Sequence, residues 1–282
     1  MISTCRCLVC GTRRLERTAG EIAPFIAHRC RIPAATRIHR VWCPRCDLLF
    51  FDQRLDPAEA RRLYRGYRDE AYVRERTRFE PDYAERHPGC VDVDHAVQRN
   101  RIHCLREAWA ALGLPPGRIL DFGGGDGWLS RSAFPRGDIV VFDLADGAAA
   151  PDPGGFDLVL CAHVLEHVSF PVPFLRRLKR FLRPRGVLYL EVPGPGARPP
   201  GASVFDYMGR SMHEHVSFFS GRAVLRLLHR CGLESVQAVT AREATQVFAR
   251  RSAFPAQPLL AERAHPERLP PPVRGPGGLD ST

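Results

Sequence analysis

The feature that most constrains the fold is a glycine-rich turn between an apolar strand and a helix. Ile119, Leu120 and Phe122 are typical of the end of a buried parallel strand, and Gly123 to Gly125 follow directly. Glycine lets the backbone turn tightly while its N–H groups stay open to a ligand. A helical pattern begins at Trp128, so the turn joins a strand's carboxyl end to a helix N-terminus, where open α/β sheets bind ligands. The stretch predicts an α/β fold with a Rossmann-like sheet and a cofactor pocket.

The charges beside this turn argue against a phosphate ligand. A dinucleotide fingerprint needs a third glycine where this chain has Trp128, and the Gly-Lys-Ser/Thr of a phosphate loop is absent. Asp121 and Asp126 would repel a pyrophosphate but would attract an ammonium or sulfonium group. Asp143 ends the next apolar run, about twenty residues further on, where a carboxylate can accept hydrogen bonds from ribose hydroxyls. We therefore expect a cationic ligand that carries a ribose.

An N-terminal module is indicated by two Cys-x-x-Cys pairs. Four thiolates on two tight turns can close a tetrahedral Zn²⁺ site, and because they fill the coordination sphere the zinc would be structural. Cys5 is a spare thiol that lacks the correct spacing. A module of reduced, buried cysteines without metal is the alternative. The predicted metal ligands are Cys7, Cys10, Cys43 and Cys46.

The order of motifs resembles that of the class I S-adenosylmethionine (SAM)-dependent methyltransferases, whose first motif is an apolar strand, an acidic residue and Gly-x-Gly. The match continues through Phe156–Leu160, Val164–Val168 and Phe174–Pro193. With the cysteine module in front, the chain looks like the bacterial sugar C-methyltransferases. The resemblance implies SAM as cofactor, with two tyrosines from a preceding helical segment folded over it. The implied cofactor-binding residues are Asp121, Gly123, Gly125, Asp126, Asp143, His163, Tyr67 and Tyr72.

The same resemblance implies catalytic groups in two segments. Glu214 and His215 precede a helix predicted to start after Ser220, and they take the position of a Glu-His pair in which histidine serves as base. His167 aligns with a histidine of the substrate pocket. A carboxylate beside an imidazole raises its pKa and fixes its tautomer, so Glu214 is expected to orient His215. His163 and His167 are expected to share one face of a helix.

The predicted layout has four parts. They are a zinc-binding module over 1–55, a helical linker or lid over 56–113, a SAM-binding methyltransferase domain over 114–253 and a disordered tail over 254–282. Only twelve residues, Leu144 to Gly155, separate the second strand from the next one, which begins at Phe156. A complete crossover needs about a dozen residues merely to return, usually with a helix and then another strand. We therefore expect the third strand to be reduced or missing.

Composition narrows the partners. The formal charge of +10 comes almost wholly from arginine spread along the chain, with Lys179 as the single lysine, so nucleic acid is not the expected partner. Attraction to acidic substrates such as nucleotide sugars explains the positive charge as well as nucleic-acid binding would. No membrane-spanning run or signal peptide is evident, which predicts a cytoplasmic protein with reduced cysteines.

These features predict SAM-dependent methyl transfer to a small-molecule acceptor, a sugar or a sugar-derived metabolite, at carbon or oxygen. Two alternatives stay open. One is an RNA or protein methyltransferase that uses the zinc module for docking, and the other is a non-catalytic zinc-ribbon interaction protein.

Overall fold

The computed structural model describes residues 1–33, 35–86, 96–114, 117–143, 151–194, 203–240 and 244–252. The N-terminal strands are β1 (Ile2–Ser3), β2 (Glu16–Ile22), β3 (Ile38–Cys43), β4 (Leu48–Phe51) and β5 (Gln53–Arg54). The later strands are β6 (Arg118–Phe122), β7 (Asp138–Phe142), β8 (Phe156–Ala162), β9 (Leu182–Pro193), β10 (Ser211–Met212), β11 (Ser217–Phe219), β12 (Leu233–Thr240) and β13 (Ala244–Arg251). The helices are α1 (Pro24–Cys30), α2 (Pro57–Tyr64), α3 (Glu70–Thr77), α4 (Tyr83–Arg86), α5 (Ala96–Ala111), α6 (Trp128–Ala133), α7 (Pro171–Phe181) and α8 (Gly221–Arg230), with 3₁₀ turns at Leu165–His167 and Val204–Met208.

Six strands form the central sheet, in the order β12-β13-β9-β8-β6-β7. Strands β6 to β9 run parallel, and the β12–β13 hairpin closes the sheet antiparallel to β9. Strand β6 lies between β7 and β8, so the chain moves outward on one side of β6 and then crosses to the other. Such a switch point opens a crevice at the carboxyl ends of the strands, and the predicted cofactor turn begins there.

The central strands are apolar along their whole length because both faces of the sheet are covered. Leu120 and Phe122 of β6 belong to the cluster that α7 and α8 cover, whereas Ile119 belongs to the opposite cluster, beneath α5 and α6. The predicted class I sheet is thus present as a mixed α/β fold. Within the described residues no strand pairs with the outer edge of β7; part of the linking segment lies outside them, so loss of the third strand stays a prediction.

A second sheet joins the two ends of the chain. Its strand order is β10-β2-β3-β4-β11, so the N-terminal hairpins supply the three middle strands and residues 211–219 supply both edges. Ser211 and Met212 pair with β2, and Ser217 to Phe219 pair with β4. The predicted catalytic residues Glu214 and His215 therefore lie on the link that crosses from one edge of this sheet to the other.

Arg54 fastens that link to the methyltransferase sheet. Its side chain is fully buried, and its five N–H groups meet five acceptors in the described residues. Nε donates to the Ser169 carbonyl at 2.9 Å, and one amino group donates to the Val168 carbonyl at 2.9 Å and to Ser217 Oγ at 2.8 Å. The other amino group donates to the carbonyls of Phe51 and Val216. One cation thus holds the residues that directly follow His167 and His215.

Local helix signals match the sequence analysis. Asp56 caps α2 in a complete capping box with Glu59, Pro57 opens the helix, and Ser220 caps α8. Helices long and apolar enough to cross a membrane are absent from the described residues. The domain boundaries and the cytoplasmic location stay predictions, and the predicted tail lies outside the described residues.

Replacing Arg54 with methionine tests its role in joining the two sheets. Arg54→Met removes five hydrogen bonds that one fully buried side chain donates, so the free energy of unfolding should fall by at least about 3 kcal/mol. Arg54→Lys should restore only part of it, because lysine supplies three donors from one point. Urea denaturation measures both changes. Arg74→Met is the control, since Arg74 is 68% exposed and its ion pair with Glu70 should contribute under about 0.5 kcal/mol. A wild-type midpoint in Arg54→Met would contradict the assignment.

Candidate functional site

The glycine turn after β6 wraps closely around the carboxylate of Asp121. Gly123 and Gly125 have φ angles of 76° and 57°, which favour glycine. A Cβ on Gly124 would lie 2.3 Å from Cγ of Asp121, so only a residue without a side chain fits above that carboxylate. Asp121 is 3% exposed, and its Oδ2 atom has no hydrogen-bond partner. The turn therefore holds a buried acceptor at the switch point of the sheet.

Electrostatics make this acceptor suited to a cation. Burial raises the pKa of Asp121, Ser130 opposes that rise, and the nearby Asp126 and Asp143 carboxylates add to it. A buried carboxylate without a partner is costly, and a positively charged ligand would remove that cost. The Asp121 carboxylate can therefore accept a hydrogen bond from the ammonium group of SAM.

The other predicted acidic residues differ in position. Asp126 is exposed, and its Oδ1 accepts a hydrogen bond of 3.0 Å from the Trp128 N–H at the start of α6, so it stabilises the helix end. Asp143 is half-buried and directly follows β7 at the same edge of the sheet as Asp121. Asp143 thus keeps the position expected of a ribose acceptor.

A second cluster gathers three imidazoles around Glu166. This carboxylate is 2% exposed, neither oxygen has a hydrogen-bond partner, and Oε1 lies 3.3 Å from His163 Nδ1. The Nε2 atoms of His167 and His215 each lie 4.0 Å from the same oxygen. Burial by itself would raise the pKa of Glu166, but the histidines outweigh it and hold the pKa below the usual value. Glu166 is therefore the charged centre of the cluster.

The expected common helix face for His163 and His167 is wrong. His163 has a φ of 55°, outside any helix, and only Leu165–His167 forms a 3₁₀ turn. His163 Nε2 instead faces Glu191 Oε1 at 3.4 Å. Burial lowers the pKa of His163, but the two carboxylates outweigh burial and raise it to about 9. His163 is thus a cation between two buried anions.

His167 faces the predicted catalytic segment. Its Nδ1 atom lies 3.1 Å from the Tyr64 hydroxyl and 3.2 Å from the backbone carbonyl of Glu214. A carbonyl oxygen only accepts, which favours the tautomer with its proton on Nδ1. Nε2 faces Glu166 Oε1 at 4.0 Å, and the ring centroid lies 4.7 Å from that of His215.

Glu214 does not orient His215, which corrects the sequence-based expectation. Its carboxylate binds the Arg76 guanidinium through both oxygens and accepts a 3.2 Å hydrogen bond from the Tyr72 hydroxyl. Burial raises the pKa of Glu214, but the contacts with Arg76 outweigh burial and lower it to about 2. Glu214 is therefore a permanent anion that anchors the segment to α3.

The predicted rise in the pKa of His215 is also wrong. Burial of most of the ring lowers its pKa to about 4, and His167 acts in the same direction, although 41% of the side chain stays exposed. With Glu214 turned away, the nearest carboxylate is Glu166, and both residues line a small cavity beside Pro193 at the end of β9. His215 is a neutral imidazole at pH 7.

The two predicted tyrosines lie by this second cluster. Tyr72 is 1% exposed, and its hydroxyl donates a hydrogen bond to Glu214. Tyr67 packs edge-on between two tyrosines, with its ring centroid 5.4 Å from that of Tyr64 and 5.3 Å from that of Tyr72. Tyr67 also stacks under Arg68, and burial raises its pKa to about 12. These contacts place both tyrosines beside the predicted catalytic segment, and a role toward SAM stays a prediction.

Short contacts join the two clusters. A Cβ on Gly123 would lie 2.4 Å from Cγ2 of Val164, so the cofactor turn touches the loop that begins with His163. Between them lies Cys161 of β8, whose pKa is raised by burial and then by both Glu166 and Asp121. The carboxylate suited to a cation and the histidine cluster thus flank the same strand end.

Several functional side chains escaped the sequence analysis. Glu191 is fully buried, and both of its carboxylate oxygens accept hydrogen bonds from the Arg101 guanidinium, at 2.8 and 3.1 Å. Arg101 in turn stacks on Trp128 at the start of α6. The sequence signal for Glu191 is a glutamate at the end of an apolar strand. Nothing local in the sequence indicates that Arg101 pairs with Glu191 or that Arg76 pairs with Glu214.

The four predicted zinc ligands converge. Their sulfur atoms lie within 4.8 Å of one another, and Cys10 Sγ is 3.7 Å from Cys43 Sγ. A tetrahedron with Zn–S bonds of about 2.3 Å has edges of about 3.8 Å. The geometry therefore fits a Zn²⁺ ion.

The two cysteine knuckles have the same backbone form. Gly11 and Asp47 each follow the second cysteine of a pair, with φ angles of 73° and 58°. Each donates its N–H to the carbonyl of the first cysteine, Gly11 to Cys7 at 2.9 Å and Asp47 to Cys43 at 2.7 Å. The second knuckle thus adopts without glycine the turn that glycine makes in the first.

Glu166, His167 and His215 also present atoms within 4.8 Å of one another, as a second group able to bind a cation.

Two solved methyltransferase structures are among those similar to this chain. A 1,6-didemethyltoxoflavin-N1-methyltransferase from Burkholderia thailandensis, crystallised with its acceptor and S-adenosylhomocysteine, is 20% identical with a TM-score of 0.46. The match covers 78% of this chain and 97% of that one. The mitomycin 7-O-methyltransferase is 19% identical with a TM-score of 0.45, over 64% of this chain and 60% of that one.

Relatives identified by sequence are also methyltransferases. The ubiquinone biosynthesis O-methyltransferase of Xanthomonas campestris pv. campestris (strain B100) is 32% identical over 108 residues, 29% of this chain and 45% of that protein. This chain thus spans about half the length of that relative. The narrower resemblance to sugar C-methyltransferases stays a prediction. Residues 64–238, well over half of the chain, match the family described as the methyltransferase domain, and the chain therefore belongs to that family.

Proposed function

We propose that the protein transfers a methyl group from SAM to a small-molecule acceptor. The observation that carries the proposal is the buried Asp121 carboxylate under a glycine turn, whose Oδ2 atom has no hydrogen-bond partner among the described residues, beside a cluster of histidines. The first feature suits a cationic cofactor and the second suits proton removal from an acceptor. Membership of the methyltransferase domain family supports both.

The cofactor-binding residues follow from position and charge. Asp121 would receive the ammonium group, Asp143 the ribose hydroxyls, and the N–H groups near Gly123 and Gly125 the amino-acid portion. When bound, SAM supplies an electrophilic methyl group. The protein's task is then to hold the acceptor in line and to remove its proton.

His215 is proposed as the base. Its low pKa keeps the imidazole neutral at pH 7, so it can accept the proton of an acceptor hydroxyl. The imidazolium that forms lies near the Glu166 carboxylate, 4.0 Å away, which stabilises the new charge. His167 assists from the same cluster, where its Nδ1 atom contacts the Glu214 carbonyl next to His215, and Arg54 positions both histidines through their neighbouring backbone.

Oxygen is the proposed target atom. The relatives are named O-methyltransferases, whereas the resemblance to sugar C-methyltransferases favours a sugar-derived acceptor and allows carbon. Carbon beside a ketone would need the same base, which would then form an enolate. The exposed edge of His215 is accessible to either kind of acceptor.

Zinc has a structural role in this proposal. Four cysteine ligands leave no open position for substrate, and the knuckles stand at one end of the sheet whose edges hold the catalytic segment. Zinc would stabilise that sheet and thereby the position of His215.

Metal analysis tests the zinc site. Purified protein should contain about one zinc per chain, and Cys43→Ser should lose most of it, with a lower melting temperature, because the tetrahedral site is broken. Cys5→Ser is the matched control, since Cys5 is exposed and lies outside the four-sulfur group. Folded wild-type protein without zinc would rule the site out.

Asp121→Asn tests the cofactor pocket. Loss of the negative charge should weaken SAM binding by roughly 10- to 100-fold, because a hydrogen bond to a charged group is lost. The same change removes a buried unpaired carboxylate, so the cofactor-free protein should be as stable as wild type or more so. Calorimetric titration and thermal unfolding measure the two effects. Asp138→Asn, at the exposed start of β7, should change neither. Wild-type affinity in folded Asp121→Asn would place the pocket elsewhere.

His215→Ala tests the base. Turnover should fall by roughly 10²- to 10⁴-fold while SAM affinity stays unchanged, because a base acts on the transition state. In wild type, protonation of His215 should reduce kcat as the pH falls through about 4, below the ordinary value of 6.5. His229→Ala, on the exposed face of α8, is the control. Full activity of His215→Ala on any accepted substrate would refute the assignment.

Deuterium exchange separates the two acceptor classes. Enzyme and a keto sugar are incubated in D₂O without SAM. A carbon methyltransferase should exchange the hydrogen beside the ketone in a His215-dependent manner, whereas an oxygen methyltransferase needs no such exchange. Exchange that persists in His215→Ala would remove the base role.

A further inference from the structure

A cleft lined mainly by arginine lies on the N-terminal module, apart from the histidine cluster. It forms where the carboxyl ends of α1 and α2 meet α3, and its volume is about 420 Å³. That volume is within the range of small-molecule sites. The lining residues are His28, Arg29, Arg31, Arg62, Arg65 and Glu75.

The cleft has excess positive charge. Glu75 is its one carboxylate, and it is already bound by Arg29 and by His28 Nε2, the latter at 3.2 Å. Pairing Arg29 with Glu75 leaves the guanidinium groups of Arg31, Arg62 and Arg65 uncompensated by a lining anion. Three such charges around one cavity create a strong positive potential.

Part of this charge has a structural use, and part is open to a ligand. Arg29 donates to Glu75 and to the carbonyls of Leu63 and Arg65, and Arg62 donates twice to the Cys30 carbonyl, so these two arginines cap helix ends. The side chains of Arg31 and Arg65 make no hydrogen bond or ion pair to the described part of the chain. Their donors, with one amino group of Arg62, remain for an anion.

The backbone also places Arg31 at some conformational cost. Arg31 ends α1 with a φ of 60°, a conformation that favours glycine. Helix capping alone would be served better by glycine, so the guanidinium is the feature that distinguishes this residue.

We propose that this cleft binds a phosphoryl group, with a diphosphate as the best fit. Guanidinium forks match phosphate oxygens in pairs, and three uncompensated cations exceed what one monovalent anion requires. The inference is independent of methyl transfer.

The cleft also shares walls with the histidine cluster. Arg29 stacks on the ring of Tyr72 at 4.8 Å, and the Tyr72 hydroxyl bonds to Glu214, next to His215. Helix α2 likewise carries Arg62 on the cleft side and Tyr64 against His167. An anion in the cleft would therefore order the two helices that form one wall of the histidine pocket.

Calorimetric titration with pyrophosphate, UDP and uridine tests the proposal. Pyrophosphate and UDP should each bind at one site per chain, with affinity that falls as salt is added, and uridine should not bind. UDP binding tighter than pyrophosphate would identify a nucleotide as the source of the phosphoryl groups, and equal affinities would identify the phosphoryl groups alone.

Variants localise the site. Arg31→Gly combined with Arg65→Gln should weaken pyrophosphate at least about tenfold while leaving SAM affinity and the melting temperature unchanged; glycine suits the backbone at position 31. Arg31→Lys should retain part of the affinity. Arg74→Gln, an exposed arginine on α3 outside the cleft, should bind like wild type. Absence of saturable pyrophosphate binding, or equal binding by the folded double variant, would overturn the proposal, whereas a failure of SAM binding would overturn only the methyltransferase function.

Discussion

The buried guanidinium of Arg54 is the interaction on which the candidate site most depends. It lies just before α2 in the chain, yet four of its five acceptors lie after β8 or at the start of β11, more than one hundred residues away. A charged group reaches full burial only when its donors are all met, and here five acceptors from three chain segments meet them. The two sheets and the loops that carry His167 and His215 are therefore assembled together.

Electrostatics around the site follow from which carboxylate each cation reaches. Arg76 forms an ion pair with Glu214, and Arg101 forms one with Glu191, so each of these two carboxylates has a cationic partner. Within the described residues, Glu166 has only imidazoles as cationic neighbours and Asp121 has no cationic partner. The pairing leaves two buried negative centres on either side of the end of β8. One can meet a cationic cofactor, and the other can stabilise a protonated base.

The N-terminal module is structurally part of the site. Its central strands come from the cysteine-containing hairpins, but both edges come from residues 211–219, so the catalytic segment is stretched between two sheet edges. The cysteine knuckles, α8 and the methyltransferase sheet also share one continuous hydrophobic cluster. A metal in the knuckles would therefore act on the site through packing and strand pairing. This coupling explains why a small metal module would precede a methyltransferase domain.

The sequence by itself determined the parallel strands, the glycine turn, the helix caps and the four convergent cysteines, because each depends on periodicity, spacing or residue type within a short window. It also indicated which polar residues gather at the strand ends. Tertiary structure decided their roles. Glu214 adjoins His215 in sequence but turns to Arg76, and His163 leaves the helix face expected from its spacing to pair with Glu191. The pKa of His215 is low because burial of the ring, and then His167, outweigh the nearby carboxylates. Ion pairs over long sequence separations are chosen by burial and by competition among partners, and neither is encoded in local spacing.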